Sequence, residues 1–114
     1  MLKVMLLVHR REGMSLEEFR RYWRESHAPL LLQLPGLQRL VCNYAQADGA
    51  GGAAPYDGVS ENWFESAEAM QAAYSSPVGQ AVAADGPNFM NMSKLQMLLV
   101  EEEEVQIPVG SAVD

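Results

Sequence analysis

The strand candidates at the two ends of this chain are apolar on both sides, and that limits the fold more than any other feature. Residues 2–9 alternate Leu2, Val4, Leu6 and Val8 with Lys3, Met5, Leu7 and His9. Residues 94–104 behave alike through Leu95, Met97, Leu98, Leu99 and Val100. An antiparallel sheet with one wet face alternates apolar and polar residues more cleanly. Both faces of this sheet therefore need cover.

Between these strands the chain supplies two helical regions and two more strands. Residues 37–45 and 58–65 read as strands. In the second, Val59, Glu61 and Trp63 share one face and Ser60, Asn62 and Phe64 the other. Ser66 reads as the N-cap of a helix reaching Tyr74, with Ala69, Met70, Ala73 and Tyr74 inward. Ser76-Pro77 starts another short helix that stops at Asp85-Gly86-Pro87, since proline suits the first helical position. Residues 48–55, DGAGGAAP, form a loop by composition. Phe89, Met90 and Met92 read as a hydrophobic plug. The order β-α-β-β-α-β defines an α+β, ferredoxin-like fold with a four-stranded antiparallel sheet and both helical regions on one face. No segment is left for the other face. A second copy packing sheet against sheet, as a closed dimeric barrel, solves that economically. The domain spans residues 1–104, and 105–114 form a C-terminal tail in which Val105-Gln106-Ile107 either extend the last strand or dock on a partner. Four glutamates at 101–104 read as a solvated strand end that discourages edge pairing.

The first helical stretch, residues 15–35, is SLEEFRRYWRESHAPLLLQLP. Ser15 and Glu18 fit a capping box. Leu16, Phe19, Trp23, Ser26, His27 and Leu30 fall on one face at about 100° per residue, with charged residues largely opposite. Pro29 disfavours helical geometry at Ala28, so the spacing predicts a kink or break just after His27. That imidazole either bonds a freed carbonyl near the break, beside Trp23, or stands at the mouth of a ligand pocket, where it titrates near neutral pH.

Composition excludes several partners. A formal net charge of −7 argues against nucleic acid and against anionic membranes. No apolar run approaches the roughly 20 residues needed to cross a bilayer. The opening MLKVMLLVHRR does not continue as a signal peptide would. Cys42 is alone, so it has no disulfide partner within the chain. These features fit a cytoplasmic protein. With two histidines and no paired His or Cys motif, neither a metal nor a cofactor is called for.

Three stretches together resemble the EthD family, named for ethyl tert-butyl ether degradation, within the dimeric α+β barrel superfamily. They are SLEEFRRYWRESHAPLLLQLPGLQR at 15–39, YDGVSENWFESAEAM at 56–70 and SSPVGQAVAADGPNFMN at 75–91. Phe19, Trp23 and His27-Ala28-Pro29 followed by Pro35-Gly36 carry the most specific part. Leu40 departs from the pattern, standing where many relatives carry tyrosine. The resemblance implies a homodimer that acts on a small organic molecule, in catabolism or in tailoring aromatic polyketides. Related barrels host cofactor-free oxygenation, isomerisation, decarboxylation, dehydration and haem chemistry, so fold leaves the reaction open.

The residues narrow the chemistry somewhat. A cavity between sheet and helices would be apolar with a few convergent polar groups. His27 and Glu61 are the catalytic candidates: His27 as general acid or base, and Glu61 either orienting the imidazole, or carrying a raised pKa beside aromatic rings, or simply an exposed strand carboxylate. Phe19, Trp23, Tyr44, Asp57 and Trp63 are the substrate-binding candidates, although Trp63 reads more readily as core packing. Cys42 reads as a small hydrophobe more readily than as a nucleophile, and His9 as a surface imidazole. Two functional readings stand side by side. One is an enzyme performing metal-free acid–base chemistry on a hydrophobic cyclic or aromatic substrate. The other is a non-catalytic protein that holds such a metabolite or supports a partner oxidase.

Overall fold

The computed structural model describes residues 1–46 and 54–110, so most of the glycine-rich loop expected at 48–55 lies outside the described residues. The chain runs β1 (Leu2–Val8), α1 (Leu16–Tyr22), a π-helical turn (Trp23–His27), α2 (Ala28–Leu31), β2 (Arg39–Tyr44), β3 (Gly58–Phe64), α3 (Ala67–Ser75), α4 (Pro77–Asp85) and β4 (Gln96–Glu101). The strands form one sheet in the order β2-β3-β1-β4, and every neighbouring pair is antiparallel. This is the ferredoxin-like α+β architecture expected from the element order. β4 is shorter than expected because β1 begins at Leu2, opposite Glu101, and offers no partner beyond it. Val105 and Ile107 neither extend the strand nor pack on the domain; both are exposed.

The first helix corrects one expectation and explains itself. Ser15 Oγ accepts from the Glu18 N–H at 3.1 Å, supplying the hydroxyl half of the capping box. The expected break after His27 is absent, for Ala28 is helical at φ −60°, ψ −43°. The irregularity lies earlier, where the Ala28 N–H bonds the Trp23 carbonyl, five residues back. Pro29 has no N–H for the Glu25 carbonyl and its ring would crowd it; a widened turn relieves both. It also sets what is buried. In an α-helix a four-residue step drifts by about 40°, so three steps would carry Leu31 off the face that Phe19 starts. The π turn takes back much of that drift, and Phe19, Trp23, His27 and Leu31 are all buried. Leu16 and Ser26, expected on the same stripe, are exposed.

The core lies between the helices and one sheet face. Val4, Leu31, Leu34, Phe64, Met70, Ala73 and Val82 form one cluster; Val8, Phe19, Trp23, Phe89 and Met90 form the other. Full burial of each large apolar side chain contributes about 1.5–3 kcal/mol. Gly58 is required by this packing, because a Cβ there would overlap the Trp23 ring and the Asn43 carbonyl. By register the opposite sheet face carries Lys3, Met5, Leu7, Arg39, Val41, Asn43, Val59, Glu61, Trp63, Gln96, Leu98 and Val100. No described element covers it. On the edge strand, Met97, Leu98 and Leu99 are 48–60% exposed.

Candidate functional site

The helices do not reach fully over β4, and the gap is a cavity of about 360 Å³. Its wall is Leu6, His27, Leu31, Tyr74, Gly79, Val82, Ala83, Gly86, Met90, Met92, Leu95 and Met97. Exposed Met92 and Met97 stand at its rim. Of these twelve residues, two, His27 and Tyr74, have side chains that can hydrogen-bond strongly. Behind it lies a recess of about 10 Å³, close to the size of one water, that shares Leu6, His27, Leu31 and Met90 and adds Ser60. Another hollow, beside His9, Tyr56 and Lys94, is shallower and open to solvent.

His27 is held from α4. Its Nδ1 lies 2.8 Å from Asp85 Oδ2, and its ring packs on Phe89 with centroids 4.6 Å apart. An ionised carboxylate only accepts, so Nδ1 carries the proton and Nε2 keeps the basic lone pair. Among the described residues the His27 side chain makes no other hydrogen bond. Burial lowers the His27 pKa and outweighs the opposing pull of Asp85. The imidazole is neutral at neutral pH. Asp85 closes α4, where the helix dipole disfavours a carboxylate, yet its pKa is lowered. Burial alone would raise it; hydrogen bonds from Tyr22 (2.6 Å), His27 (2.8 Å) and Asn88 (3.0 Å) more than offset that. A buried neutral imidazole that lines a cavity and is oriented through Nδ1 by an ionised carboxylate is suited to act as a general base.

The other sequence candidates fall in five places. Trp23 walls the small recess. Phe19 is fully buried against Trp23 and Phe89, one layer behind the cavity. Tyr44 meets the Trp23 ring edge-on at 5.4 Å and lies beneath the Arg20 guanidinium, away from the cavity. Asp57 accepts the Arg10 N–H at 2.8 Å and pins a turn. Glu61 and Trp63 are corrected, because strand alternation puts them on the sheet face opposite His27. There Glu61 accepts from Lys3 Nζ and Asn43 Nδ2, each at 2.8 Å. These bonds, Lys3 first, lower its pKa rather than raise it. Trp63 lies between the Lys3 ammonium and the Arg39 guanidinium, and its Nε1 donates to Glu102 at 3.1 Å. Of the glutamates at 101–104, Glu102 is thus engaged on this sheet face, and Glu104 accepts from Gln106. His9 is half-buried against Tyr56, with ring centroids 5.1 Å apart. Burial pushes the Cys42 thiol up, away from the reactive thiolate.

Sequence reasoning missed Asp85, Tyr22, Asn88 and the chain Ser60–Asn62–Tyr74. Asp85 carried a signal, since an aspartate in the last turn of a helix opposes the dipole. In Asp85-Gly86-Pro87 it read as a helix stop instead. Among the described residues no group of three or more His, Cys, Asp or Glu is placed to hold a metal ion. No helix of the described residues is long and apolar enough to cross a membrane.

An apolar cavity with one oriented imidazole thus lies between the helices and the sheet of a ferredoxin-like domain. The EthD domain matches residues 11–93, and the chain belongs to the EthD family. It is 30% identical over 87 residues to an uncharacterized 11.0 kDa protein from the thcB–thcC intergenic region of Rhodococcus erythropolis, a match covering 76% of this chain and 82% of that protein. An EthD family protein from Bacillus halodurans has a similar structure, with a TM-score of 0.78 and 23% identity, over 90% of this chain and 99% of the other. A dimeric protein of unknown function and ferredoxin-like fold from Bacteroides fragilis superposes with a TM-score of 0.66 and 12% identity, over 89% and 95% of the two chains.

Proposed function

We propose that this protein acts on a small, largely apolar cyclic or aromatic molecule by metal-free acid–base chemistry, with His27 as the base. The observation that carries this is His27 on the wall of the cavity, paired with Asp85 behind it. A neutral imidazole whose Nδ1–H is committed to a carboxylate has one free function, to take a proton at Nε2. The wall favours an apolar body, and its volume suits a molecule of one or two rings. Asp85 positions the imidazole and stabilises the imidazolium that forms.

The protein works as a homodimer in this reading. The uncovered sheet face and the exposed β4 edge carry Met5, Leu7, Val41, Val59, Leu98 and Val100 around the Lys3–Glu61–Glu102 cluster. A second copy packed sheet to sheet removes this surface from water, and the dimeric relative of Bacteroides fragilis has the same fold. The predominance of apolar wall also favours a second functional reading, a protein that holds a hydrophobic metabolite without turning it over.

Deuterium exchange separates the two readings. A panel of cyclic and aryl ketones is incubated in D2O with the protein, and loss of the α-proton signals is followed by NMR. The enzyme reading expects exchange of at least one ketone to be accelerated by the native protein and abolished in His27→Gln. Binding with equal exchange in both proteins favours the holding protein.

A further inference from the structure

The second polar group on the cavity wall has its own support. Tyr74 accepts a hydrogen bond from Asn62 Nδ2 at 2.9 Å, and Asn62 Oδ1 accepts from Ser60 Oγ at 3.0 Å. Asn62 is fully buried and Ser60 nearly so. The three side chains therefore form a one-way donor chain that ends on the phenol oxygen. Tyr74's own hydroxyl proton has no acceptor among the described residues. Its ring is braced edge-on against Phe64 at 5.7 Å between centroids. Burial raises its pKa against the opposing effect of Asn62, so it stays a protonated donor at neutral pH. A buried chain of this kind polarises its last member.

We propose that Tyr74 is a second ligand-touching group: it donates a hydrogen bond to the oxygen of a ligand from which His27 takes a proton, so the cavity selects molecules bearing a phenolic or enolisable carbonyl oxygen. This rests on His27 acting as the base. The step balances within the two partners. The ligand's O–H or C–H bond breaks, its proton goes to His27 Nε2, and the electron pair remains on the ligand as phenolate or enolate. The Tyr74 hydroxyl bonds that oxyanion, while Asp85 faces the new imidazolium. Asn62 is a positioning residue in this scheme, acting only through Tyr74.

The test uses the full chain and 4-nitrophenol, whose phenolate absorbs visible light, at a pH below its solution pKa. The native protein is expected to bind it and show the phenolate band. Tyr74→Phe is expected to bind at least about tenfold more weakly, the equivalent of one hydrogen bond to a charged group, and to lose the band. Unchanged affinity and band in Tyr74→Phe overturn the proposal. If that variant does not fold, His27→Phe is titrated with 4-nitrophenol and with 4-nitrotoluene, which lacks the oxygen. A preference for the phenol of about fivefold or more supports a Tyr74 contact, and equal affinities overturn it. Failure of the native protein to bind 4-nitrophenol overturns this inference alone, since ketone exchange tests His27 separately.

Discussion

Replacing Asp85 by alanine removes the acceptor on which three side chains converge. The bonds are 2.6 Å from Tyr22, 2.8 Å from His27 and 3.0 Å from Asn88. A hydrogen bond to a charged group contributes about 1.5–3 kcal/mol net, but the three do not simply add. Asn88 is exposed and its amide returns to water at little cost. Tyr22 is half-buried and recovers part of its loss. His27 is 5% exposed, so its Nδ1–H is stranded unless the proton moves to Nε2, which removes the base. The helix-dipole penalty on Asp85 disappears in the variant, a gain of a few tenths of a kcal/mol. The net expectation is a loss of about 2–4 kcal/mol, read as a lower urea midpoint with an unchanged slope at pH 7. Tyr22→Phe, which removes the bond to Asp85 and the longer one accepted from exposed Asn88, should lose about 1 kcal/mol. A midpoint for Asp85→Ala within about 0.5 kcal/mol of the native protein would refute the argument. It would mean that water satisfies His27 and that Asp85 does not orient it.

Four further outcomes follow from the same structure. Below about pH 6.5 the unfolded chain takes up a proton that buried His27 resists, so stability falls as pH drops toward the folded-state value; His27→Gln should flatten that limb of a midpoint-against-pH curve, and identical slopes contradict the assignment. Asp85 acts lower, because its depressed pKa gives stability that is complete above the ordinary aspartate range and lost only as pH falls through the folded value. Gly58→Ala should destabilise by about 1–3 kcal/mol through overpacking against Trp23, with a lower melting temperature as the readout. Leu98→Glu, on the uncovered sheet face, should halve the mass seen by light scattering, and an unchanged mass would remove the sheet-to-sheet dimer.

The fold was legible because strand alternation and helix caps are local signals. Ser60, Asn62 and Phe64 turn inward and Val59, Glu61 and Trp63 turn outward, as period-two alternation requires. The same alternation argued against pairing Glu61 with His27, once the helices were assigned to one face. The π turn was less visible, although its mark is present: Phe19, Trp23, His27 and Leu31 repeat every four residues, which an unbroken α-helix cannot keep on one side. The partner of His27 was out of reach. Asp85 lies 58 residues away in sequence, and only the docking of α4 beside the first helix brings them together. Lys3 shows the same limit. It read as the polar residue of a strand, yet it is nearly buried between Glu61, Glu102 and Trp63.

The protonation state of His27 is the point on which the functional account depends, and nitrogen-15 NMR of the labelled imidazoles at pH 7 measures it. The account expects one histidine, absent from the spectrum of His27→Gln, with a protonated Nδ1 in slow exchange and an unprotonated Nε2. On filling the cavity with 4-nitrophenol, the Nε2 resonance should move toward the imidazolium position. A His27 found as the Nε2–H tautomer, or as imidazolium in the empty protein at pH 7, would contradict a base poised by Asp85.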